Sequence, residues 1–524
     1  KRGGKKIRKL IGKLLQSMIW TIPLIWIAEL VLVRKEHPEL LMLKTTWYYT
    51  LGAAVMVYLW LSTETHGRPS HEHLLEQKVQ AQQKVVNRKL CSKKPDGVLF
   101  GKQGKYYVRK PISEDGHVLV IGGSGSGKSS CGVIPTLLSN QDTAVFAIDI
   151  KGELSYKAAK RTDPKVMVFN PMDRYSCGYD PLYKLKDGCS ADDIYETMRH
   201  IAESLIPLPT DLKDPFWKNS ARNLLTGLLI YYFNTGMRDF ISLVDVIDSK
   251  PVKSSIQEIM ENADVLSVER KCIIHMADLT EETLSGIEVE MGNHLSVFST
   301  DADVRFALRD NPVKTNPEMI NSGISIYLAV REDKLTAYYD LLQLVLNQMF
   351  SELEKRPEDA NPVLFIIDEL PRILSAGKIE RLLDGGKTLR SRKVTLYLII
   401  QSVEALMSAY SENQALDLIT NCQYIEILDA VSTKTQKMII EWAGKYMRKK
   451  KSWSSSASKV NVNTSFEEAN LIDSTDIMRL KQSKKVMLVS PYGFYIIDKN
   501  PYYEDSKLSA LSAECVSCNS SVKE

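Results

Sequence analysis

The chain contains 524 residues, of which 44% are hydrophobic and 25% charged, so it has enough apolar material for a large core and for more than one domain. Its eight cysteines follow no repeated framework, which excludes a disulfide scaffold and indicates reduced thiols. Seven of its 68 lysine and arginine residues lie within residues 1–13, and the remainder carries 61 basic and 64 acidic residues. The composition therefore excludes a generally basic chain, and any nucleic acid must bind at a local patch or channel.

Two apolar segments near the N-terminus predict membrane spans. The first covers residues 14–33, where only Gln16 and Glu29 oppose insertion, and about 20 apolar residues are enough to cross a bilayer. The second covers residues 46–62 and has aromatic residues near its ends, as expected at a membrane interface. A cleavable signal peptide and a buried pair of soluble helices are the alternatives. The basic residues before the first span favour a cytoplasmic N-terminus, so two spans return the chain to the cytoplasm.

These segments predict an N-terminal membrane anchor over residues 1–63. Residues 64–94 are rich in Gln, Lys, Glu and His and are predicted to form a linker or helical stem. Residues 97–108 have the pattern of a short hairpin that leads into the strand before the first chemical motif.

A glycine-rich loop follows the apolar run at residues 118–120, a position that a flexible Gly/Ser linker does not take. Residues 122–129 fit G-x-x-x-x-G-K-[ST], the Walker A pattern of a phosphate-binding P-loop. Glycines let the backbone point several N–H groups at one anion, and the following helix adds its positive end. We expect Lys128 to reach the β- and γ-phosphates and Ser129 to bind Mg²⁺. The residues predicted to bind the nucleotide are Gly122, Gly123, Ser124, Gly125, Ser126, Gly127, Lys128, Ser129 and Ser130.

The elements around this loop predict a mostly parallel, RecA-like sheet. Apolar strand patterns occur at residues 144–148, 166–169 and 324–330. Between residues 189 and 311 the apolar residues instead recur at helical spacing. The sequence therefore predicts an α/β fold, in which residues 95–188 and 312–503 form a RecA-like P-loop NTPase domain and residues 189–311 form an inserted all-α domain.

A second motif joins the apolar run at residues 363–367 to Asp368 and Glu369. A continuous apolar run is typical of a strand buried on both faces, and ligands bind at the carboxyl ends of such strands. Given the P-loop upstream, we expect Asp368 to hold Mg²⁺ through water and Glu369 to orient and polarise the attacking water. The predicted cofactors are ATP and Mg²⁺.

Polar residues also flank the strand predicted at residues 394–400. Gln401 at its end is a candidate sensor of the γ-phosphate. Arg390 or Arg392 before it is a candidate arginine finger for the ATP of a neighbouring subunit, which would imply a ring. Surface arginines are usually only solvated, so both interpretations of the arginines remain open at this point.

Two segments near the C-terminus have no regular core pattern. Residues 448–456 combine four cations, a tryptophan and polar residues, and are a candidate contact for DNA phosphates or bases, with a solvated loop as the alternative. Residues 504–524 are polar and predicted to form a disordered tail.

Together these motifs resemble those of the coupling proteins of conjugative type IV secretion systems, the TraG/TraD-like membrane ATPases. The shared features are the two N-terminal spans, His117 before the P-loop, Asp149-x-Lys151-Gly152-Glu153, Phe169-Asn170-Pro171, Asp180-Pro181-Leu182, Asp214-Pro215-Phe216-Trp217, Asp368-Glu369 with Gly377, Arg390 eleven residues before Gln401, Asp429 with Thr433 and Gly444, and a closing hairpin within residues 480–503. The resemblance covers nearly the whole chain. Its departures are Asp180 in place of the usual Asn, Leu370 in place of a common aromatic residue, and the second arginine, Arg392.

The resemblance implies a hexameric ring that is anchored in the bacterial inner membrane, with its ATPase domains in the cytoplasm. The all-α domains would meet the relaxase-bound DNA or protein substrate at the cytoplasmic mouth. ATP hydrolysis, with Arg390 acting in trans, would drive single- or double-stranded DNA through a central channel towards the channel proteins of the secretion system. The expected function is therefore that of a coupling ATPase in conjugation.

Two other functions are compatible with the same residues. One is a DNA translocase of the FtsK/HerA type, which would more often carry an appended sequence-reading DNA-binding domain. The other is a docking receptor that binds ATP to assemble but pumps nothing. The intact Asp368-Glu369 pair argues against the receptor, because binding alone does not need Glu369.

Overall fold

The computed structural model describes residues 86–209, 212–456 and 459–520, all of which belong to the unit Leu75–Glu524. The two predicted spans, residues 14–33 and 46–62, lie outside these ranges. Among the residues that the structure describes, no helix is both long and apolar enough to cross a membrane.

The described residues form sixteen strands and seventeen α-helices. The strands are β1 (Cys91–Ser92), β2 (Val98–Gln103), β3 (Tyr106–Lys110), β4 (Val118–Ile121), β5 (Ala144–Ile148), β6 (Val166–Phe169), β7 (Gly178–Tyr179), β8 (Lys314–Thr315), β9 (Ser325–Leu328), β10 (Val363–Ile367), β11 (Val394–Ile400), β12 (Tyr424–Ile427), β13 (Lys445–Ser456), β14 (Lys459–Asn470), β15 (Lys485–Ser490) and β16 (Gly493–Asp498). The α-helices are α1 (Ile134–Ser139), α2 (Glu153–Ala158), α3 (Ala191–Leu205), α4 (Phe216–Asn234), α5 (Phe240–Asp248), α6 (Val252–Asn262), α7 (Val268–Ile273), α8 (Glu281–Thr300), α9 (Ala302–Arg305), α10 (Tyr339–Glu354), α11 (Leu370–Ala376), α12 (Glu380–Thr388), α13 (Val403–Ala409), α14 (Glu412–Thr420), α15 (Thr433–Ala443), α16 (Ser474–Met478) and α17 (Ser506–Ser520).

Twelve of these strands form one mixed sheet in the order β1-β3-β2-β16-β15-β12-β4-β11-β10-β5-β9-β6. Within the part of the sheet from β12 to β6, all neighbouring strands are parallel. β15 pairs with β12 in antiparallel orientation, and all further pairs out to β1 are also antiparallel. Alternate residues of β4 enter two separate apolar clusters, with Leu119 and Ile121 in one and Val118 and Val120 in the other. The parallel part is thus buried on both faces, which explains the continuous apolar sequences of its strands.

The register of the parallel strands brings their carboxyl ends to one edge of the sheet. Ile121 at the end of β4 lies beside Ile400 of β11 and Ile427 of β12. Ile367 at the end of β10 lies beside Ile148 of β5. The residues that follow these strands therefore meet at the edge where α/β sheets bind ligands.

The described chain between β7 and β8 is helical and contains α3 to α9. β7 and β8 are only two residues long and pair with each other in parallel. The Gly178 N–H donates to the Val313 carbonyl at 2.7 Å, and the Asp180 N–H donates to the Thr315 carbonyl at 3.0 Å. This β7–β8 clasp holds the start and the end of the helical segment side by side.

The first described residues differ from the linker predicted for residues 64–94. β1 adds an edge strand to β3, and Val86 and Leu90 are buried in the core. The Val86 N–H donates to Gln103 Oε1 at 3.3 Å. The linker prediction extended too far because these apolar residues stand isolated in a polar stretch, and their partners lie in the β2–β3 hairpin.

The prediction of a disordered tail over residues 504–524 is wrong for its described part, which forms α17. This helix packs on α2 and buries Leu508 and Cys515 completely. Its few apolar residues give no clear amphipathic pattern, so the sequence offers little sign of the helix. Its docking also uses buried polar side chains: Ser512 Oγ donates to the Lys157 carbonyl of α2 at 3.0 Å, and a second side chain caps the end of that helix.

That side chain is Asn519, which caps the carbonyl end of α2. Asn519 Nδ2 donates to the carbonyl oxygens of Tyr156 and Ala159, both at 2.8 Å. Asn519 Oδ1 accepts a hydrogen bond from the Arg161 N–H at 2.8 Å. Because the last carbonyls of a helix lack partners within the helix, this contact satisfies groups that would otherwise be buried without them.

Replacement Asn519→Ala is expected to lower the melting temperature of the full chain by a few degrees. The change removes several buried hydrogen bonds, each worth about 1 kcal/mol. Differential scanning calorimetry measures the shift, and Ser517→Ala, at an exposed position of α17, is the matched control. Equal melting temperatures for Asn519→Ala and the control would show that Asn519 does not fasten α17.

Candidate nucleotide-binding site

The P-loop joins β4 to a helical turn, Lys128–Val133, which continues directly into α1. Gly125 and Gly127 have φ values of 73° and 99°, in the left-handed region that favours glycine. A Cβ atom on Gly122 would lie 2.4 Å from Ser126 Oγ. The glycines of the motif are therefore needed for the path of the loop.

The side chain of Lys128 is folded back onto this loop. Its Nζ donates to the carbonyl oxygens of Gly122 at 2.9 Å and Gly123 at 3.0 Å, and the residue is 8% exposed. Burial lowers the pKa of Lys128, and the charges of Glu369 and Asp368 oppose this effect. An ammonium bound to neutral carbonyls can exchange them for phosphate oxygens, because charge-assisted hydrogen bonds are the stronger ones.

Two buried carboxyl groups follow the neighbouring strands β10 and β5 at this edge of the sheet. Asp368 is 3% exposed and Asp149 is fully buried. Burial raises the pKa of Asp368 to about 6 and also raises the pKa of Asp149. Asp149 Oδ2 accepts a hydrogen bond from the Ser155 N–H at 2.9 Å, but the Oδ1 atoms of both residues have no hydrogen-bond partner among the described residues. Asp368, whose charge acts on Lys128 of the P-loop, therefore offers a buried carboxylate oxygen that fits Mg²⁺, which prefers oxygen ligands.

The carboxylate of Glu369 is paired with Lys151, with 2.6 Å between Oε1 and Nζ. Burial lowers the pKa of Lys151, but the hydrogen bond and charge of Glu369 outweigh it and raise this pKa overall. The backbone φ of Glu369 is 56°, a left-handed value that is uncommon for residues other than glycine. Sequence reasoning included Lys151 in a shared pattern but gave it no role, and its position just after β5 was the available signal.

Asp429, another residue without a predicted role, flanks the loop from the side of β12. A Cβ atom on Gly123 would lie 3.0 Å from Asp429 Oδ2. Burial raises the pKa of Asp429. Its Oδ2 and Ser126 Oγ are buried and have no hydrogen-bond partner in the described part of the chain. The loop therefore lies between the acidic residues that follow β10 and the one that follows β12.

The other predicted site residues lie near the P-loop or at the far end of β11. Ser129 is half-buried in the turn after the loop, and Gln401 follows β11 at the same edge of the sheet. Arg390 and Arg392 precede β11, whose seven residues separate them from this edge by roughly 20 Å. Arg390 is exposed, whereas Arg392 Nη1 donates to the Arg356 carbonyl at 2.9 Å. The structure thus brings together the P-loop, the acidic pair and Gln401, but neither arginine.

A buried carboxyl group lies beneath the turn that follows the P-loop. Glu426 of β12 is fully buried, and its Oε2 accepts a hydrogen bond from the Tyr397 hydroxyl at 3.5 Å. A Cβ atom on Gly132 would lie 2.5 Å from this hydroxyl and 3.1 Å from Glu426 Oε2. Burial raises the pKa of Glu426 to about 8, so the folded protein keeps it protonated at neutral pH.

Replacement Glu426→Gln is expected to stabilise the protein at pH 8 but not at pH 5. The folded pKa lies above the unfolded value of 4.5, so the natural chain loses stability as the pH rises through this range and the loss is complete above pH 8. The free energy of unfolding of the natural chain falls by about 1.4 kcal/mol per pH unit in this range. Its value at pH 8 is therefore lower than at pH 5 by an amount on the order of 4 kcal/mol. Melting temperatures of the natural chain and of Glu426→Gln between pH 5 and pH 8 measure this difference. If the two plots of melting temperature against pH run parallel, the prediction is contradicted.

Three features define an α/β NTPase fold. They are the glycine loop between a strand and a helix, the buried acids at neighbouring strand ends, and the large, mostly parallel sheet. Residues 70–524 match the family described as Type IV secretory system Conjugative DNA transfer. The chain belongs to this family.

Solved structures of the coupling protein TrwB share the fold. The unbound monoclinic form of the bacterial conjugative coupling protein TrwBdeltaN70 is 16% identical, with a TM-score of 0.59 over 79% of this chain and 90% of that chain. The plasmid coupling protein TrwB in complex with ADP and Mg²⁺ is 16% identical, with a TM-score of 0.58 over 79% and 90% of the two chains. Its complex with the ATP analogue ADPNP is 15% identical, with a TM-score of 0.57 over 79% and 91%. No curated protein matches the chain significantly in sequence.

Proposed function

We propose that this chain is the membrane-anchored coupling ATPase of a conjugative type IV secretion system, which recruits a relaxase–DNA substrate and powers its transfer through the channel. The main observation in support of this proposal is that the P-loop, Asp368 and Glu369 lie at one edge of the sheet, in a chain of the conjugative DNA transfer family. The TrwB complexes with ADP and Mg²⁺ and with an ATP analogue support ATP and Mg²⁺ as cofactors.

Each residue at this edge has a separate part in hydrolysis. The loop N–H groups bind the phosphates, and Lys128 moves from the loop carbonyls to the β- and γ-phosphate oxygens. Ser129 would bind Mg²⁺ directly and Asp368 would hold it through water, and the ion would supply positive charge to the phosphates. Glu369 orients the attacking water and accepts its proton, and Gln401 contacts the γ-phosphate.

The position of Arg390 supports a ring of subunits. Arg390 is exposed, and the length of β11 lies between it and the P-loop edge of its own subunit. It therefore serves the ATP of a neighbouring subunit, as in a hexamer. Arg392 has a structural role instead, because its guanidinium is bound to the Arg356 carbonyl.

The domain organisation and the membrane location belong to the same proposal. The apolar sequences of residues 14–33 and 46–62 support two spans in the bacterial inner membrane, with the N-terminus and the ATPase in the cytoplasm. Residues 95–188 and 312–503 form the RecA-like domain, and residues 189–311 form the all-α domain that meets the substrate. The β7–β8 clasp supports the insertion, because it closes the helical segment at its base.

Residues 448–456 are a candidate DNA contact of this ATPase. They lie in β13, which pairs with β14 along its whole length to form a two-stranded ribbon. A two-stranded β-ribbon fits the major groove of DNA, and four cations within it favour phosphate contacts.

Steady-state ATP hydrolysis by the full chain in detergent, with and without single- or double-stranded DNA, tests the proposal. We expect DNA to stimulate turnover, and the rate to rise more than linearly with protein concentration because sites completed in trans form on assembly. ATP binding without turnover, even with DNA and at concentrations that form rings, would contradict a pump. That result would favour the docking receptor.

A further inference from the structure

We propose that Lys151 is a positioning residue for ATP hydrolysis, which holds the carboxylate of Glu369 in place beside the P-loop. This inference rests on the proposed function and deepens it. Lys151 acts through Glu369 and does not bind the nucleotide itself.

The pair bridges the carboxyl ends of two neighbouring strands. Ile367 of β10 lies directly beside Ile148 of β5, and Glu369 and Lys151 follow these residues closely. Lys151 Nζ donates to Glu369 Oε1 at 2.6 Å. The side chain of Glu369 is 12% exposed and that of Lys151 is 45% exposed, so the ammonium lies on the solvent side of a nearly buried carboxylate.

The backbones on both sides of this pair are fixed. Glu369 has a φ of 56° and immediately precedes α11, and its carbonyl accepts a hydrogen bond from the Arg372 N–H at 2.9 Å. Such left-handed backbone persists outside glycine only where surrounding contacts hold it. Gly152, with a φ of 68°, turns the chain from Lys151 into α2. The remaining freedom is in the two side chains, and the ion pair restricts it.

The two lysines of the site have different partners. Lys128 binds neutral carbonyls of the P-loop, whereas Lys151 binds a carboxylate. Without Lys151, Glu369 would lie beside Asp368 with one positive charge fewer to offset the repulsion between the two carboxylates. Its carboxylate would then turn towards solvent and away from the attacking water.

The first experiment needs neither nucleotide nor turnover. The full chain is treated with an amine-acylating reagent, and the rates at Lys151 and Lys157 are read by mass spectrometry. An ammonium held by a carboxylate reacts slowly, so Glu369→Gln is expected to raise the rate at Lys151 about threefold. Lys157, which pairs with Glu153 at 3.2 Å in α2, is the internal control and should not change. An unchanged rate at Lys151 would overturn the proposal.

The second experiment measures binding and turnover separately. Lys151→Met is expected to lower kcat about 100-fold, because a misplaced catalytic group costs about this much, while the Kd of a fluorescent ATP analogue changes less than about threefold. Lys151→Arg keeps the charge and should recover much of the loss, and Lys157→Met should change neither quantity. A tenfold weaker Kd for Lys151→Met would overturn the proposal, because the lysine would then contact the nucleotide.

A double-mutant comparison tests whether Lys151 acts through Glu369. Lys151→Met combined with Glu369→Gln should hydrolyse ATP no more slowly than Glu369→Gln alone. A further large loss in the double variant would contradict the inference. The two proposals fail on different results. Absence of ATP turnover in the natural chain would contradict the coupling ATPase. Equal rates of Lys151 acylation in the natural chain and in Glu369→Gln would contradict the Lys151–Glu369 pair, whatever the turnover.

Discussion

Glu369→Gln is expected to bind ATP with unchanged affinity and to hydrolyse it roughly a thousandfold more slowly than the natural chain. The amide has nearly the shape of the carboxylate but cannot accept the proton of the attacking water. The P-loop and Lys128, which bind the phosphates, are left intact. Phosphate release measures turnover, and the fluorescence of a bound ATP analogue measures affinity.

Lys128→Ala provides the complementary result. It removes the cation that neutralises the β- and γ-phosphates, so both binding and hydrolysis should be lost. The two variants together separate the phosphate-binding function of the loop from the activation of water. A Glu369→Gln chain that keeps more than about a tenth of the natural turnover would exclude Glu369 as the base, because general-base catalysis contributes more than this.

Mixing Arg390→Ala with Lys128→Ala subunits is expected to restore hydrolysis that neither variant shows alone. The Arg390→Ala subunit keeps an intact P-loop, and the Lys128→Ala subunit keeps Arg390. An interface at which the first supplies the P-loop and the second supplies the arginine therefore contains every required group. In random rings assembled from equal amounts, about a quarter of the interfaces have this composition. Because an arginine finger is worth about a thousandfold or more in kcat, the recovered activity should stand far above the background of either variant.

Arg392→Ala is the matched control for the mixing experiment. Its guanidinium is bound to the Arg356 carbonyl, so its removal should lower stability but leave turnover per folded subunit close to natural. Mixtures with no recovery would contradict action in trans by Arg390. Loss of turnover in Arg392→Ala, with activity retained in Arg390→Ala, would assign the finger to Arg392.

The parts of the site that the sequence predicted are those fixed by short local patterns. The P-loop needs glycine at positions of left-handed or crowded backbone, and these glycines recur at a fixed spacing. The acidic pair could be placed because strands buried on both faces have continuous apolar sequences, and their carboxyl ends meet at one edge. The parallel strands followed from the same patterns, whereas the closing hairpin was expected from the family resemblance alone.

The parts that the sequence did not predict depend on contacts between distant segments. The pairing of Lys151 with Glu369 requires β5 and β10 to be neighbours, an order that no local pattern contains. The docking of α17 depends on Asn519, a polar residue that becomes informative only when the end of α2 lies beside it. The separation of Arg390 from the P-loop edge likewise follows from the direction of β11 within the assembled sheet.

The β7–β8 clasp has a consequence for how such a chain can diversify. The polypeptide leaves the sheet layer at Gly178 and returns at Lys314, which are directly paired, so the segment between them begins and ends at one point. A change in the length of a segment attached in this way does not by itself shift the register of the strands that carry the nucleotide site. Insertions and deletions within the helical segment can therefore accumulate while the order of the strands at the nucleotide site is kept.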